Sequence, residues 1–231
     1  MVLFFLHHAG GSGYAFKKWL PLLQNTYPVI IDLPGHGHRI KEPLLRDYEQ
    51  VIDFIIGEIT DVIDRKEQYM IFGHSMGGIL AFCVSQRLSE SENGVPCHLF
   101  LSACNPPNKS IFCDISKGSM ETENVLSVLY DMGGLPRSIF GNEELRSVFF
   151  PILQADVELI CKCRIEKRIH APMSIMHGNS DPLSYEAISN WSIYTTVPCR
   201  HLCFSGGHFY IHNHYTEICE YINSIANENI S

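Results

Sequence analysis

The feature that most constrains this chain is the rhythm of its apolar runs. Val2–Leu6, Val29–Leu33, Tyr69–Phe72, Leu99–Ser102, Met173–Met176 and His201–Phe204 are short, mostly apolar stretches, and turn residues follow most of them. Continuous rather than alternating apolarity belongs to strands buried on both faces, as in a parallel sheet. Between these runs the period changes. Val51, Ile52, Ile55, Ile56, Ile59, Val62 and Ile63 trace one helical stripe, and Ile211, Tyr215, Ile218, Ile222 and Ile225 repeat it near the end. Such alternation predicts an α/β fold, a mostly parallel, doubly wound sheet of about six strands flanked by helices. No internal repeat or flexible linker interrupts it, so residues 1–231 read as one domain.

One stretch departs from the rhythm. From 105 to about 169 no strand is evident, but at least two helical patterns are. Asn142 is placed to cap a helix with Glu143 and Glu144 in its first turn, followed by Leu145, Val148, Phe149 and Ile152. Pro151 is expected to kink that helix or split it in two. The stretch is too long for a simple crossover and predicts a helical lid over one end of the sheet.

Composition narrows the class of function. A hydrophobic share of 45% against 18% charged residues fills a core and excludes a disordered chain. Seventeen Lys and Arg against twenty-five Asp and Glu leave a net charge of −8, which disfavours nucleic-acid and anionic-membrane binding. No apolar run approaches the roughly 18 residues a membrane span needs. Met1–Leu6 is apolar but short and lacks the basic region of a signal peptide. The nine Cys are odd in number and scattered, several within apolar runs (Cys83, Cys203, Cys219), as expected for buried thiols of a cytoplasmic protein. Cys161-x-Cys163 has the wrong spacing for the usual zinc or redox motifs.

The sharpest local signal is Gly73-His74-Ser75-Met76-Gly77, a G-x-S-x-G match lying between the apolar runs Tyr69–Phe72 and Ile79–Val84. A strand–turn–helix setting is what a nucleophile elbow needs, with glycines giving a strained turn its room. A serine hydroxyl requires a base, and the base an orienting carboxylate. Asp181 and His208 follow the last two predicted strands, in the order Ser, acid, His along the chain. Asp32 and Asp156 are the competing acids, the first preceding Ser75 and the second lying in the predicted lid. A tetrahedral intermediate also needs two N–H donors. Met76 would give one, and the glycine-rich loop His7–Gly13 after the first strand, at Ala9, the other. That loop lacks the Gly-Lys-Ser/Thr of a phosphate loop. The histidines of Gly35–His38 and of His208, His212 and His214 have no carboxylate set around them, so no metal is expected.

The chain resembles the type II thioesterases of the α/β-hydrolase superfamily, stand-alone editing enzymes of nonribosomal peptide and polyketide synthesis. The resemblance rests on His8-Ala-Gly-Gly11, Asp32-Leu-Pro-Gly-His36, Gly73-His-Ser-Met-Gly-Gly78, Met132-Gly-Gly-Leu-Pro136, Pro151-Ile-Leu-Gln-Ala-Asp156 and Gly206-Gly-His-Phe209. It implies an α/β-hydrolase fold with a lid at about 105–169, Ser75 as nucleophile, His208 as base, Asp181 as orienting acid, and Ala9 and Met76 as oxyanion donors. It further implies hydrolysis of acyl groups from the phosphopantetheine arm of acyl or peptidyl carrier domains, with no cofactor of the enzyme's own. His7 stands where the family usually has Pro, and relatives usually carry further residues before the first strand. The strand near Val29–Leu33 is therefore expected to form an exposed edge, with monomers or weak self-association as the outcome. A carboxylesterase or lipase, an acyltransferase and a non-catalytic carrier-binding subunit share parts of this pattern. Arg39, Lys41 and Arg137 are the candidate basic patch for an acidic carrier.

Overall fold

The computed structural model describes all residues except 65–66, 93, 108–121, 135–137, 139–140, 184–187 and 231, and the side chains of 122–126 and 230. Arg137, Phe140 and the Leu135-Pro136 end of one lid signature thus lie outside the described residues. Six parallel strands form one sheet: β1 (Val2–Leu6), β2 (Tyr27–Ile31), β3 (Tyr69–His74), β4 (His98–Ser102), β5 (Met173–Gly178) and β6 (Cys199–Phe204). Their spatial order is β2-β1-β3-β4-β5-β6, which with its helices is the α/β-hydrolase arrangement the sequence predicts.

Both faces of the four inner strands β1, β3, β4 and β5 are covered. The edge strands β2 and β6 are only partly buried, so the expected double burial fails at the two edges. Val2, Phe4 and Leu6 of β1 face a core shared with α1 (Tyr48–Thr60) and α2 (Met76–Leu88). Leu3 and Phe5 face the other way, toward Phe16, Trp19 and the last helix. In that second core Phe72 packs against Phe5, Phe16, Trp19 and Phe100, with ring centroids 4.9–6.2 Å apart.

Strand order reverses at β1: the chain leaves it for β2 on one side and returns to β3 on the other. The loops after β1 and β3 diverge there and leave a crevice at the strands' carboxyl ends, the usual ligand position in open α/β sheets. β2 is an edge strand starting two residues before the predicted run, with Tyr27 67% exposed. Pro28 lies within it, tolerated because an edge strand has a side on which no partner asks for its missing N–H.

Between β4 and β5 the described elements are α3 (Thr122–Asp131) and α4 (Glu143–Lys162); α5 (Tyr215–Ile230) closes the chain. The Asn142 side chain accepts the Leu145 N–H at 3.0 Å, capping α4 as predicted. Pro151 does not split α4, which runs on for eleven residues beyond it to Lys162. The carbonyl deprived of its partner belongs to Ser147, which is exposed, so water can satisfy it. No described helix is long and apolar enough to cross a membrane.

Candidate active site

β3 ends at His74, and Ser75 turns the chain into α2 with φ 56° and ψ −118°, a conformation that costs an L-residue strain. The turn survives because its neighbours are glycines. A methyl group on Gly73 would collide with the Gly77 carbonyl, one on Gly77 with the carbonyls of Leu6 and His7, and one on Gly78 with Cys104 Sγ. The Ser75 N–H is fixed by a 2.7 Å bond to the Ser102 carbonyl on β4. Gly-x-Ser-x-Gly-Gly is thus a packing requirement for bringing β1, β3, α2 and β4 together at one serine.

His208 and Asp181 arrive on two turns laced to each other. The N–H of Ser180 bonds the Gly206 carbonyl at 2.8 Å, and the Gly206 N–H bonds Asn179 Oδ1 at 3.0 Å. Gly178 has no room for a side chain, because the carbonyls of Gly206 and Gly207 press against it. Asp181 is braced further by the Leu183 N–H, 3.0 Å from Oδ1. The result is one hydrogen-bonded line. Ser75 Oγ lies 3.0 Å from His208 Nε2, and His208 Nδ1 lies 3.0 and 3.2 Å from the two Asp181 oxygens. The His208 and Asp181 side chains are 2% and 0% exposed. A carboxylate on Nδ1 holds that proton there and leaves the Nε2 lone pair facing the hydroxyl, so the arrangement can deprotonate Ser75 as it attacks.

Met76 and Ala9 are both buried and line the cavity walls around Ser75 and His208. Met76 opens α2, where backbone N–H groups have no preceding turn to bond, and the end of the helix favours negative charge. Ala9 sits on the loop after β1, and that loop is held by the two acids that competed with Asp181 in the sequence. Asp156 Oδ2 accepts the Gly10 N–H at 2.7 Å and bonds His36 Nε2 at 3.0 Å. Asp32 accepts the Gly13 N–H at 2.6 Å and, from the other side, the His38 N–H at 3.0 Å and His38 Nδ1 at 2.7 Å. Neither acid touches His208; each fastens the glycine-rich loop to another element. Sequence reasoning missed these roles, and the available signal was the loop itself, whose buried N–H groups need acceptors.

The histidines around the line are held neutral. Burial, then the proximity of His208 and His8, pushes His74 well below its ordinary value. Its Nδ1 bonds Ser102 Oγ at 2.9 Å, which in turn meets the Tyr210 hydroxyl at 2.7 Å. Burial, followed by His7 and His208, lowers His8 to about 3. Uncharged neighbours would not oppose a positive charge on His208 were it to accept a proton from Ser75. The predicted basic patch fares differently. Arg39 is engaged with Glu42 at 3.1 Å and Glu58 at 2.8 Å, so it is not a free cation, and Lys41 is exposed. Among the described residues no three His, Cys, Asp or Glu side chains group as metal ligands. His38 pairs with Asp32, and His214 with Glu217.

Known proteins share this chain's pattern over nearly its whole length. The human protein named S-acyl fatty acid synthase thioesterase, medium chain, is 29% identical over 210 residues, covering 87% of this chain and 77% of that protein. Gramicidin S biosynthesis protein GrsT of Aneurinibacillus migulanus is 25% identical over 226 residues, covering 95% and 86%. The crystal structure of ClbQ from the colibactin NRPS/PKS pathway superposes with a TM-score of 0.86 at 26% identity, covering 98% of this chain and 97% of that one. Residues 2–226 match the family described as Thioesterase domain, and the chain belongs to that family.

Proposed function

We propose that this protein is a type II thioesterase that hydrolyses stalled or aberrant acyl groups from the phosphopantetheine arm of carrier domains in a nonribosomal peptide or polyketide synthase. The observation that carries the proposal is the Ser75–His208–Asp181 line at the switch point of the sheet. Membership of the thioesterase family supports thioester over oxygen-ester substrates. The names of the relatives, from gramicidin S biosynthesis and the colibactin NRPS/PKS pathway, support the synthase setting.

In this mechanism Ser75 Oγ attacks the thioester carbonyl while His208 Nε2 takes its proton and Asp181 holds the imidazole. The oxyanion that forms points at the N–H groups of Met76 and Ala9, donors preorganised by α2 and by the loop that Asp156 and Asp32 fasten. A thiol, with a pKa of about 8.5 when free, leaves far more readily than an alcohol, so collapse demands little of the proton on His208. The acyl-serine is then attacked by water, which gives its proton to His208, and Ser75 is regenerated as the acid departs. The chemistry uses no cofactor of the enzyme's own and no metal. The acidic protein would work in the cytoplasm, where its thiols, the exposed Cys203 among them, stay reduced. It would do so as a monomer or a weakly self-associating one, the open β2 edge being blunted by Pro28.

The test is mass spectrometry of intact acetyl- and longer acyl-phosphopantetheine carrier protein, with a soluble ester alongside. Wild type should release the acyl group from the carrier faster than it cleaves the ester, and Ser75→Ala should lose both activities while keeping its fold. Ester cleavage with an untouched carrier would sink the carrier reading, and turnover retained by Ser75→Ala would sink the nucleophile.

A further inference from the structure

One histidine of the glycine-rich loop takes no part in the Ser75–His208–Asp181 line and yet is buried. His7 follows β1, stands where the sequence departs from the usual Pro, and is 2% exposed. Both of its ring nitrogens are engaged. Nδ1 lies 2.8 Å from the His8 carbonyl, and Nε2 lies 3.3 Å from the Leu33 N–H beyond β2. A carbonyl can only accept and an N–H can only donate, so Nδ1 carries the proton and Nε2 the lone pair. That is one tautomer of the neutral ring. Burial, then the His36 imidazole 4.8 Å away, holds His7 below its ordinary 6.5, against the pull of the His8 carbonyl, Asp156 and Asp32. The uncharged form that suits both partners is the one present at neutral pH.

The carbonyl that His7 grips belongs to the same peptide unit as the Ala9 N–H. A trans peptide is planar, with its C=O and N–H pointing in opposite directions. Fixing one end of that plane fixes the other. The His8 carbonyl also receives the Gly11 N–H at 2.9 Å, closing a tight turn in which Gly10 takes φ 67°. Two donors from different directions hold the plane more firmly than the turn alone. At its other end, the Ala9 N–H has no backbone acceptor among the described residues. The His7 backbone has little freedom to relieve the grip, because its own carbonyl is packed against Gly77.

We propose that His7 is a positioning residue for the oxyanion hole: its Nδ1–H, bonded to the His8 carbonyl, sets the plane of the His8–Ala9 peptide and so aims the Ala9 N–H. The inference rests on Ala9 as an oxyanion donor in the function proposed above, and deepens it by naming the group that directs that donor. Asp156 and Asp32 act elsewhere, fastening the loop at Gly10 and Gly13. His7 works on the donor's own peptide. A donor aimed at the oxyanion contributes more in the transition state than in the ground state, so its loss is read in kcat rather than in KM.

The experiment separates the two ring contacts. In His7→Asn the amide nitrogen stands near the place of Nδ1 and can donate to the His8 carbonyl, but nothing reaches Leu33. In His7→Gln the longer amide brings an acceptor toward the Leu33 N–H and leaves the His8 carbonyl to Gly11 alone. Each variant gives up one buried hydrogen bond, so chemical unfolding should show similar destabilisation in both, with kinetics taken where each stays folded. The proposal expects His7→Gln to lose kcat roughly tenfold, on an acyl-phosphopantetheine carrier protein and on a soluble ester alike, with KM little changed. His7→Asn should stay within about threefold of wild type, because it keeps the bond that aims the donor. Equal losses in the two variants, or none in either, would overturn the assignment, since a residue that only fills the core moves both alike. The reverse order would give the effect to the Leu33 bond and overturn it as well. A wild type that cleaves the ester but not the carrier thioester would instead reject the carrier reading, while the comparison on the ester still decides the role of His7.

Discussion

The floor and the roof of the site are built by different means. The floor, where β1, β3 and α2 meet, is backbone packed on backbone: Gly73 against Gly77, and Gly77 against the carbonyls of Leu6 and His7. The roof, α3 and α4, is held by side chains. Leu129 and Met132 at the end of α3, and Ile152, Leu153, Val157 and Ile160 on α4, are buried, while Val148 and Phe149 at the outer end of α4 are 56% and 37% exposed. Backbone contact fixes a position to within fractions of an ångström and admits no substitute. Side-chain burial tolerates re-seating, because an apolar face can shift and still be covered. A nucleophile needs the first kind of support, and a cover that admits acyl groups needs the second.

One substitution made in both regions gives the largest expected contrast. Gly77→Ala puts a methyl group into the carbonyls of Leu6 and His7, atoms that cannot swing away without moving the start of the Ala9 loop. The expected cost is about 3 kcal/mol or more in chemical unfolding, with activity lost beyond what the folded fraction explains. Gly141→Ala, just before α4, meets nothing within 4 Å and should change stability by no more than about 0.5 kcal/mol. If the two variants unfolded alike, the backbone account of the floor would be wrong.

Next in size is the effect of separating roof from floor. Asp156, fully buried on α4, is the polar joint between them, holding Gly10 of the Ala9 loop and His36 beyond β2. Asp156→Asn keeps the size but removes the charge that strengthens both bonds. The expected outcome is a fall in kcat of roughly 10- to 100-fold with KM little changed, since the damage falls on the loop proposed to donate to the oxyanion. Affinity for a trifluoromethyl ketone, which forms the tetrahedral adduct, should fall in step. A rise in KM with kcat intact would assign Asp156 to the roof alone.

The same division explains what could be read from the chain. All six strands and the Ser75, Asp181 and His208 positions are visible in the sequence, because strand burial and the elbow are local patterns set by neighbours along the chain. Boundaries slipped where local rules were relaxed by position. β2 takes in Pro28 because it is an edge, and α4 continues through Pro151 because the freed carbonyl faces water. What the sequence hid is long-range polar pairing. Nothing near Asp156 says that its partner is the N–H of Gly10, 146 residues away, and nothing near Arg39 says that Glu58 claims it. Apolar burial is legible because any apolar surface will serve as a partner. A buried carboxylate needs one particular donor, and the fold alone decides which.

The smallest effect concerns the far side of that joint. Burial is the largest influence on His36 and pulls its pKa down, but the hydrogen bond and charge of Asp156, with the Pro34 carbonyl and Asp32, outweigh it and leave the imidazole raised above 6.5. A folded-state value above the unfolded one means stability that is fully present below pH 6.5 and is lost as pH rises through the folded value. His36→Gln keeps a donor for Asp156 and removes the titration. Wild type should therefore exceed the variant by about 1 kcal/mol near pH 6, the difference between a charge-assisted and a neutral hydrogen bond, and the gap should close above the folded value. The neutral histidines act in the opposite sense. His8, held at about 3, and His74 resist protonation in the fold, so both proteins lose stability on acidification below pH 6.5, by up to about 1.4 kcal/mol per pH unit for each such group. The measurement is the difference between the two unfolding curves at each pH, in which the acid loss from His74 cancels and what remains is His36 together with the effect of its charge on His7 and His8. A gap that widened with rising pH would reverse the sign and show that Asp156 prefers a neutral partner.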